Sequence, residues 1–357
     1  MKKILHNKPC LDSQELKAVE KVLESDWLIM GKEVKRLENN IKKLVNAKYA
    51  VATNSGISAV HLSLISLGIG AKDEVILPSY TFTGLLNPIY FLGAVPVIVD
   101  VEKNGFNIDP VKTKNRINKK TKAIIVPHTF GIPAKIDQIK KFKIPVIEDC
   151  AHALGSSYCG KPLGSFGNIS IFSFYATKMI VCGQGGMITT NNKKYFDIAQ
   201  DLIHYDQRRD YKIRYNYQLT DVAASIGNAQ FKKLKFFISK RRSIASRYID
   251  VLEKNNDVEY WPKREDQNLN HYRFIVKFAN KAQRDEFKLE LAKKGISSIV
   301  PVEDYQLLHS ALRQPKKYFP NSQKLSQTTL SLPVHPNLTE KEVNKIAKTL
   351  DLLCSKL

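Results

Sequence analysis

Apolar positions in the first fifty residues recur at helical spacing. Asp12 and Ser13 are suited to cap a helix, and Leu16, Val19, Val22 and Leu23 then fall on one face. Val34, Leu37, Ile41 and Leu44 repeat the pattern. From Tyr49 the texture changes. Short apolar runs, YAVAT, EVIL, VPVIVDV, AIIVP, IPVIED, ISIFSF and MITT, alternate with helical stretches. Several are apolar on both faces, as strands of a parallel sheet between two helical layers must be. This alternation predicts an α/β architecture with right-handed crossovers. Past about Thr220 it stops. A helical stretch from Asp221 to about Glu253 leads to HYRFIVKF, a helix around residues 286–294, ISSIVPV, TLSLPV and a last helix from near Thr339. The expected organisation is a large domain at 1–235, carrying the N-terminal helices and a mostly parallel sheet, and a smaller α+β domain at 236–357.

Composition sharpens this picture in two respects. The 357 residues are 43% hydrophobic, enough for a sizeable core. Lys and Arg number 56 against 34 Asp and Glu, so the net charge of +22 points to anionic partners. Five cysteines, an odd count with no CxxC pair, suggest neither a disulfide framework nor a zinc site. The N-terminal apolar stretch is too short for a secretory leader. The most apolar window, 84–101, contains Asn87, Pro88 and Pro96 and reads as a helix followed by a buried strand rather than a membrane span. A soluble cytoplasmic protein is expected, with no membrane partner. The charge excess raises nucleic acid as a rival ligand. No helix-turn-helix or RNP-type strand supports it, and the densest basic run, 232–242, is interleaved with Phe236, Phe237 and Ile238, which suits helix packing.

Three pieces carry chemistry at strand ends, where open α/β sheets place their ligands. In YAVATNSGISAVHLSL a strand ends at Thr53 and a helix starts near Ile57. Gly56 permits close backbone approach, and the N–H groups of Ile57 and Ser58 form a phosphate cradle at the positive helix end. In IPVIEDCAHALGSSY the acid Asp149 ends an apolar strand, and His152 follows three residues later. In NISIFSFYATKMIVCGQGGMITT a strand delivers Ser173, and Lys178 follows among apolar neighbours, the setting of a nucleophilic amine. A phosphate-binding turn, a buried acid and a desolvated lysine on one sheet are the set that pyridoxal phosphate requires. The phosphate needs N–H donors, the pyridine nitrogen needs a carboxylate, and the aldehyde needs an amine.

With DWLIMG, PSYTF, GAVPVIVDV, PHTFGIPA, YNYQLTD and LSLPVHPNLTE these pieces resemble, in order and over nearly the whole chain, the DegT/StrS-type pyridoxal-phosphate nucleotide-sugar aminotransferases. The resemblance implies the aspartate-aminotransferase-like fold (fold type I). It makes Lys178 the Schiff-base lysine, Asp149 the partner of the pyridine nitrogen, His152 a hydrogen bonder to the phenolic oxygen and Phe82 the aromatic cover of the ring. Gly56, Ile57, Ser58 and Ser173 would hold the phosphate. Asn216 would reach the phosphate of the neighbouring subunit, making a homodimer with shared active sites. The amino group would pass from L-glutamate, through pyridoxamine phosphate, to a keto group of a nucleotide-linked deoxy sugar in amino-sugar and polysaccharide (O-antigen) biosynthesis. The stretch ALGSSY favours C4 over C3. Four positions depart from the family pattern: Ile57 for Thr, Gln184 for Glu, Gln218 for Arg and Met30 for Thr. The alternatives are another pyridoxal-phosphate reaction, such as desulfuration, or a non-catalytic regulatory protein on the same fold. No cysteine stands on a recognisable catalytic loop, and Lys178 argues against the dehydratases of the family that carry His there.

Overall fold

A computed structural model describes residues 3–254, 258–261 and 267–356 of the chain. The seven apolar runs become the strands of one sheet. In chain order the strands are β1 (Tyr49–Thr53), β2 (Glu74–Pro78), β3 (Val95–Val99), β4 (Thr121–Pro127) and β5 (Val146–Asp149), then a short hairpin of β6 (Ser157–Tyr158) and β7 (Lys161–Pro162), then β8 (Ile169–Ser173) and β9 (Gly186–Thr190). The large sheet has the order β1-β9-β8-β5-β4-β2-β3. All its pairings are parallel except those of β9, which runs against both neighbours. Alternation sends Val51, Leu77, Ile125, Ile147 and Ile171 into the core on one face, and Ala52, Ile76, Ile124, Val146 and Phe172 into the core on the other. This double burial is why the runs lack a polar period.

Three further strands follow: β10 (Glu259–Tyr260), β11 (Gln267–Asn268), which joins the β6–β7 hairpin, and β12 (Phe274–Lys277). The last strand is β13 (Thr329–Leu332), and β10, β12 and β13 form a second antiparallel sheet. Its own core, built from Tyr248, Phe274, Val276, Leu330 and Ile346, includes Ile4. The stretch ISSIVPV supplies only isolated bridges, Ile296 to Ile4 and Ile299 to Ser331. The expected long helix from Asp221 is two helices, Asp221–Lys232 and Leu234–Leu252, broken at Lys233. The expected boundary at 235/236 falls in the first turn of the second. No helix among the described residues is long and apolar enough to cross a membrane.

Helix α1 (Ser13–Leu23) starts with the capping box of Asp12 and Glu15. It buries only part of the face that the apolar spacing picked out: Val22 is buried and Val19 half-buried. Leu16 and Leu23 are 71% and 55% exposed. The anchor is polar. Buried Glu15 accepts from Gln230 Nε2 at 2.7 Å and the Asp12 N–H at 2.8 Å, and pairs with Lys233. Helix α2 (Lys32–Leu44) buries Val34, Leu37 and Ile41 as its spacing predicts. Its N-terminus is capped from far along the chain. Asp221 accepts from the N–H groups of Gly31, Glu33 and Val34 at 2.8, 3.2 and 3.3 Å. A Cβ at Gly31 would collide with that carboxylate and with Trp27. The DWLIMG and YNYQLTD segments are thus one structural unit. The N-terminal strand of chain, residues 4–9, is stitched to the second sheet by His6 to Ser331 (2.9 Å) and by Asn337 to the Pro9 carbonyl (2.8 Å). Asn7 donates to the carbonyl of Thr177 at 3.2 Å.

Strand β1 is an edge, and α2 covers it: Glu38 accepts the outward N–H of Ala52 at 2.8 Å. Burial pushes the Glu38 acid up to about 7, against the opposing pull of that N–H and of Lys42 and Lys35. The fold therefore favours protonated Glu38. Its contribution is present below the ordinary value of 4.5 and is lost as pH rises through about 7. Thermal melts of Glu38→Gln should show this part of the pH dependence flattened, a difference of up to about 3 kcal/mol at the alkaline end. Asp221→Ala leaves three N–H groups without an acceptor and should cost about 2–3 kcal/mol in urea unfolding. Asp221→Asn, which keeps one acceptor, should cost less.

Candidate active site

The strand ends converge on a cavity of about 590 Å³. Asp149, His152, Ser173, Lys178, Gly56, Ile57 and Phe82 all line it. At the end of β5 two consecutive acids point to opposite faces of the sheet. Glu148, fully buried, accepts from His128 Nε2 (3.0 Å), the N–H groups of Gly164 (2.6 Å), Phe166 (2.9 Å) and Gly167 (2.7 Å), and Ser170 Oγ (3.0 Å). Burial acts against its charge, but His128 and these donors hold its acid below the usual range. His128 is fixed in turn. Its Nδ1 accepts from the Ala134 N–H at 3.0 Å, so Nε2 carries the proton given to Glu148. Asp149, 8% exposed, accepts only the Ala151 N–H, at 2.9 Å, among the described residues. Burial raises its acid, while that N–H and the charges of Lys178 and His128 oppose the rise. An acid this buried and this sparsely bonded calls for a cationic N–H from a ligand.

Beyond β8 the chain turns through 174–177, with the N–H of Lys178 bonded to the Tyr175 carbonyl at 2.9 Å and that of Cys182 to the Phe174 carbonyl at 2.8 Å. The Lys178 amine has no ion pair among the described residues and lies 5.4 Å from the centre of the Tyr272 ring. His152 stacks on the same ring at 4.2 Å and 14°. Burial, helped by the charges of Lys178 and Arg273, pushes the His152 imidazolium well below its usual range, so the ring is neutral. Its Nδ1 faces the Phe130 N–H at 3.4 Å, leaving Nε2 as the donor nitrogen.

Helix α3 (Gly56–Ser66) opens at the cavity. A Cβ at Gly56 would lie 3.0 Å from Cβ of Ser173, so glycine is what lets the helix end meet β8. The first N–H groups of a helix have no partner inside it, which leaves those of Gly56 and Ile57 for an anion. Ser58 departs from its expected role. Ser55 Oγ caps its N–H at 3.1 Å, its hydroxyl donates to Asn54 at 2.7 Å, and it does not line the cavity. The helix needs its cap, and Ser58 is spent on it. Phe82 is 64% exposed at the cavity wall, its ring lying where a Cβ of residue 84 would be. Asn216 is exposed and lies outside this cavity, its carbonyl holding Asn54 Nδ2 at 3.0 Å. Gln184 and Ile57 line the cavity, whereas Gln218 donates to the Ile203 carbonyl at 3.0 Å.

The sequence reading missed Tyr272, Arg273, His128 and the anchoring role of Glu148. The signal for Arg273 is a cation at the head of the apolar strand HYRFIVKF. The residues present fit pyridoxal phosphate: free N–H groups beside a serine at one place, an under-bonded buried acid, and an unpaired amine, around one cavity.

The profile of the DegT/DnrJ/EryC1/StrS aminotransferase family matches residues 9–351. GDP-perosamine synthase of Escherichia coli O157:H7 is 33% identical over 365 residues, covering 98% of each chain. The PLP form of Spr1654 from Streptococcus pneumoniae, a proposed sugar aminotransferase, superposes with a TM-score of 0.92 at 27% identity and 99% coverage of both chains. Helicobacter pylori PseC, an aminotransferase of pseudoaminic acid biosynthesis, gives 0.91 at 26% identity over the whole of both chains. The chain belongs to the DegT/DnrJ/EryC1/StrS family and is a fold type I, pyridoxal-phosphate-dependent aminotransferase.

Proposed function

We propose that this aminotransferase moves the amino group of L-glutamate to a keto group of a nucleotide-linked deoxy sugar, at C4 rather than C3. The observation that carries the reading is a lysine amine without an ion pair, and an under-bonded buried acid, among the described residues that line one cavity. The sugar substrate is supported by the relatives, and a nucleotide diphosphate suits the net charge of +22.

Pyridoxal phosphate supplies an electron-accepting ring and the carbon that carries nitrogen between the two substrates. Lys178 would hold that carbon through its amine and, when free of it, would take the proton from the donor's α-carbon and return one to the product. Asp149 holds a proton on the ring nitrogen. Its single hydrogen bond among the described residues leaves it free to do so. Neutral His152 offers Nε2–H to the phenolic oxygen. Phe82 covers the ring and excludes water. Gly56, Ile57 and Ser173 take the phosphate, with Ser58 supporting them through the helix cap. Asn216, exposed and outside its own cavity, completes the site of a second copy of the chain.

Borohydride treatment of the holoenzyme followed by peptide mass spectrometry should place the cofactor on Lys178. Lys178→Ala should lose the tag and roughly 10²–10⁴-fold in kcat. Retention of full turnover by that variant would overturn the assignment. Mixing Lys178→Ala with Asn216→Ala chains should regain activity that neither has, since one site of the mixed dimer is whole. A panel of nucleotide-linked 3-keto and 4-keto sugars with L-glutamate, read by product NMR, should show amination of the 4-keto members. Amination of the 3-keto members alone refutes the C4 assignment.

A further inference from the structure

Charge is spread unevenly along the chain. Residues 110–147 contain ten lysines and arginines and a single acid, Asp137. Lys112 pairs with Asp100 at 2.8 Å and Lys135 with Glu102 at 3.3 Å. The other eight are exposed and have no ion pair among the described residues. They fall on two segments. Lys114, Arg116, Lys119, Lys120 and Lys122 run from the end of the short helix Pro110–Lys114 into β4. Lys140, Lys141 and Lys143 close the helix Ile136–Lys140 and lead towards β5.

Topology gathers the two segments into one face. The two short helices touch. The Lys120 carbonyl accepts the N–H of Glu74, which starts β2, at 2.8 Å, and the Pro145 carbonyl accepts that of Ile124 in β4 at 2.9 Å. Both segments thus lie at the leading ends of β2, β4 and β5, which run parallel. The cavity lies at the opposite ends, where Pro127 and Asp149 line it. Strand β4 holds the two about 20 Å apart, more than twice the screening length of about 8 Å at physiological salt. The basic face therefore does not draw substrate to the cavity. Lys114 and Lys140 answer the negative ends of their helices, but the rest lie beyond them. The nearby acids take neutral donors instead: Asp137 the Tyr158 hydroxyl (3.0 Å), Asp73 the Gly70 N–H (2.9 Å) and Glu74 the Asn118 amide (2.7 Å).

The kind of cation narrows the partner. Seven of the eight are lysines, compact charges on flexible stems, rather than the planar fork that grips a fixed phosphate or carboxylate. No aromatic ring is exposed in residues 110–147 to stack on a base: Phe130 is buried, and Phe142 packs half-buried against the core. A face of mobile point charges suits a surface whose own charges are mobile, a bilayer carrying anionic lipids. Such contact needs no spanning helix, so apolar patterning does not reveal it.

We infer that this basic face docks the protein reversibly on an anionic membrane surface, with the cavity turned away from the lipid and open to substrate. The inference is independent of the donor and sugar assigned above. Its test is co-sedimentation of the holoenzyme with vesicles of phosphatidylcholine alone, or of equal parts phosphatidylcholine and phosphatidylglycerol. The wild type should bind the anionic vesicles roughly 10-fold or more tightly than the neutral ones, and lose that preference at high salt. The combined variant Lys119→Glu, Lys120→Glu, Lys141→Glu and Lys143→Glu should lose the preference yet keep its kcat and KM, which also report that it folds. Glutamine at the same four positions is the milder form if glutamate prevents folding. A charge-matched control, Lys294→Glu, Lys324→Glu, Lys341→Glu and Lys348→Glu, alters exposed lysines outside this face and should still bind. Equal binding to both vesicles, no binding even at low salt, binding retained by the face variants, or an equal loss in the control overturns the inference. Salt-sensitive retention of duplex DNA that the face variant loses, without vesicle binding, overturns it in favour of nucleic acid.

Discussion

Everything at the catalytic end of the large sheet depends on the carboxylate of Glu148. It sits dry at the end of β5 and gathers a histidine, a serine and three backbone N–H groups around itself. Those contacts tie the 164–167 turn and the His128 loop to one strand end. A buried charge with a full set of donors tolerates no slip of register, because every displaced donor leaves an exposed deficit in a low-dielectric interior. Strand alternation then dictates the orientation of the next residue. Asp149 faces the cavity because Glu148 faces away.

The sheet was legible because its strands are covered on both sides. Seven apolar runs stood out and all seven pair, with only the antiparallel sense of β9 unannounced. What was not legible has specific causes. The exposed leucines of α1 mislead because a buried glutamate with a distant lysine orients the helix, and that partnership spans more than two hundred residues. Ser58 looked like a phosphate ligand, but Asn54 and Ser55 claim it for the cap. Glu148 and Asp149 are the same kind of residue in adjacent positions, and only the pleat separates anchor from working acid. Lys178, Asp149 and Gly56 were readable since each ends or follows an apolar strand, so one sheet brings them together. Tyr272 and Arg273 immediately precede β12 of a different sheet, and strand pattern alone says nothing of where that sheet is placed.

The second sheet completes the cavity wall. Tyr272 carries His152 on its ring and has the lysine amine nearby, so it is a common surface for groups from both halves of the chain. Helix caps do similar work over long distances: Asp221 fixes the start of α2 and with it the segment containing Trp27 and Met30. The aminotransferase chemistry thus rests on polar contacts between remote segments, laid over a core that apolar patterning alone would build.

The stitched residues 4–9 have a consequence for biosynthesis. They leave the ribosome well before Ile296, Ser331 and Asn337, which hold them. Asn7 can support the turn before Lys178 only once those late partners exist. A nascent chain can thus form the seven-stranded sheet while its reactive turn still lacks this clasp, so the site reaches its final shape only after the segment around Asn337 has emerged.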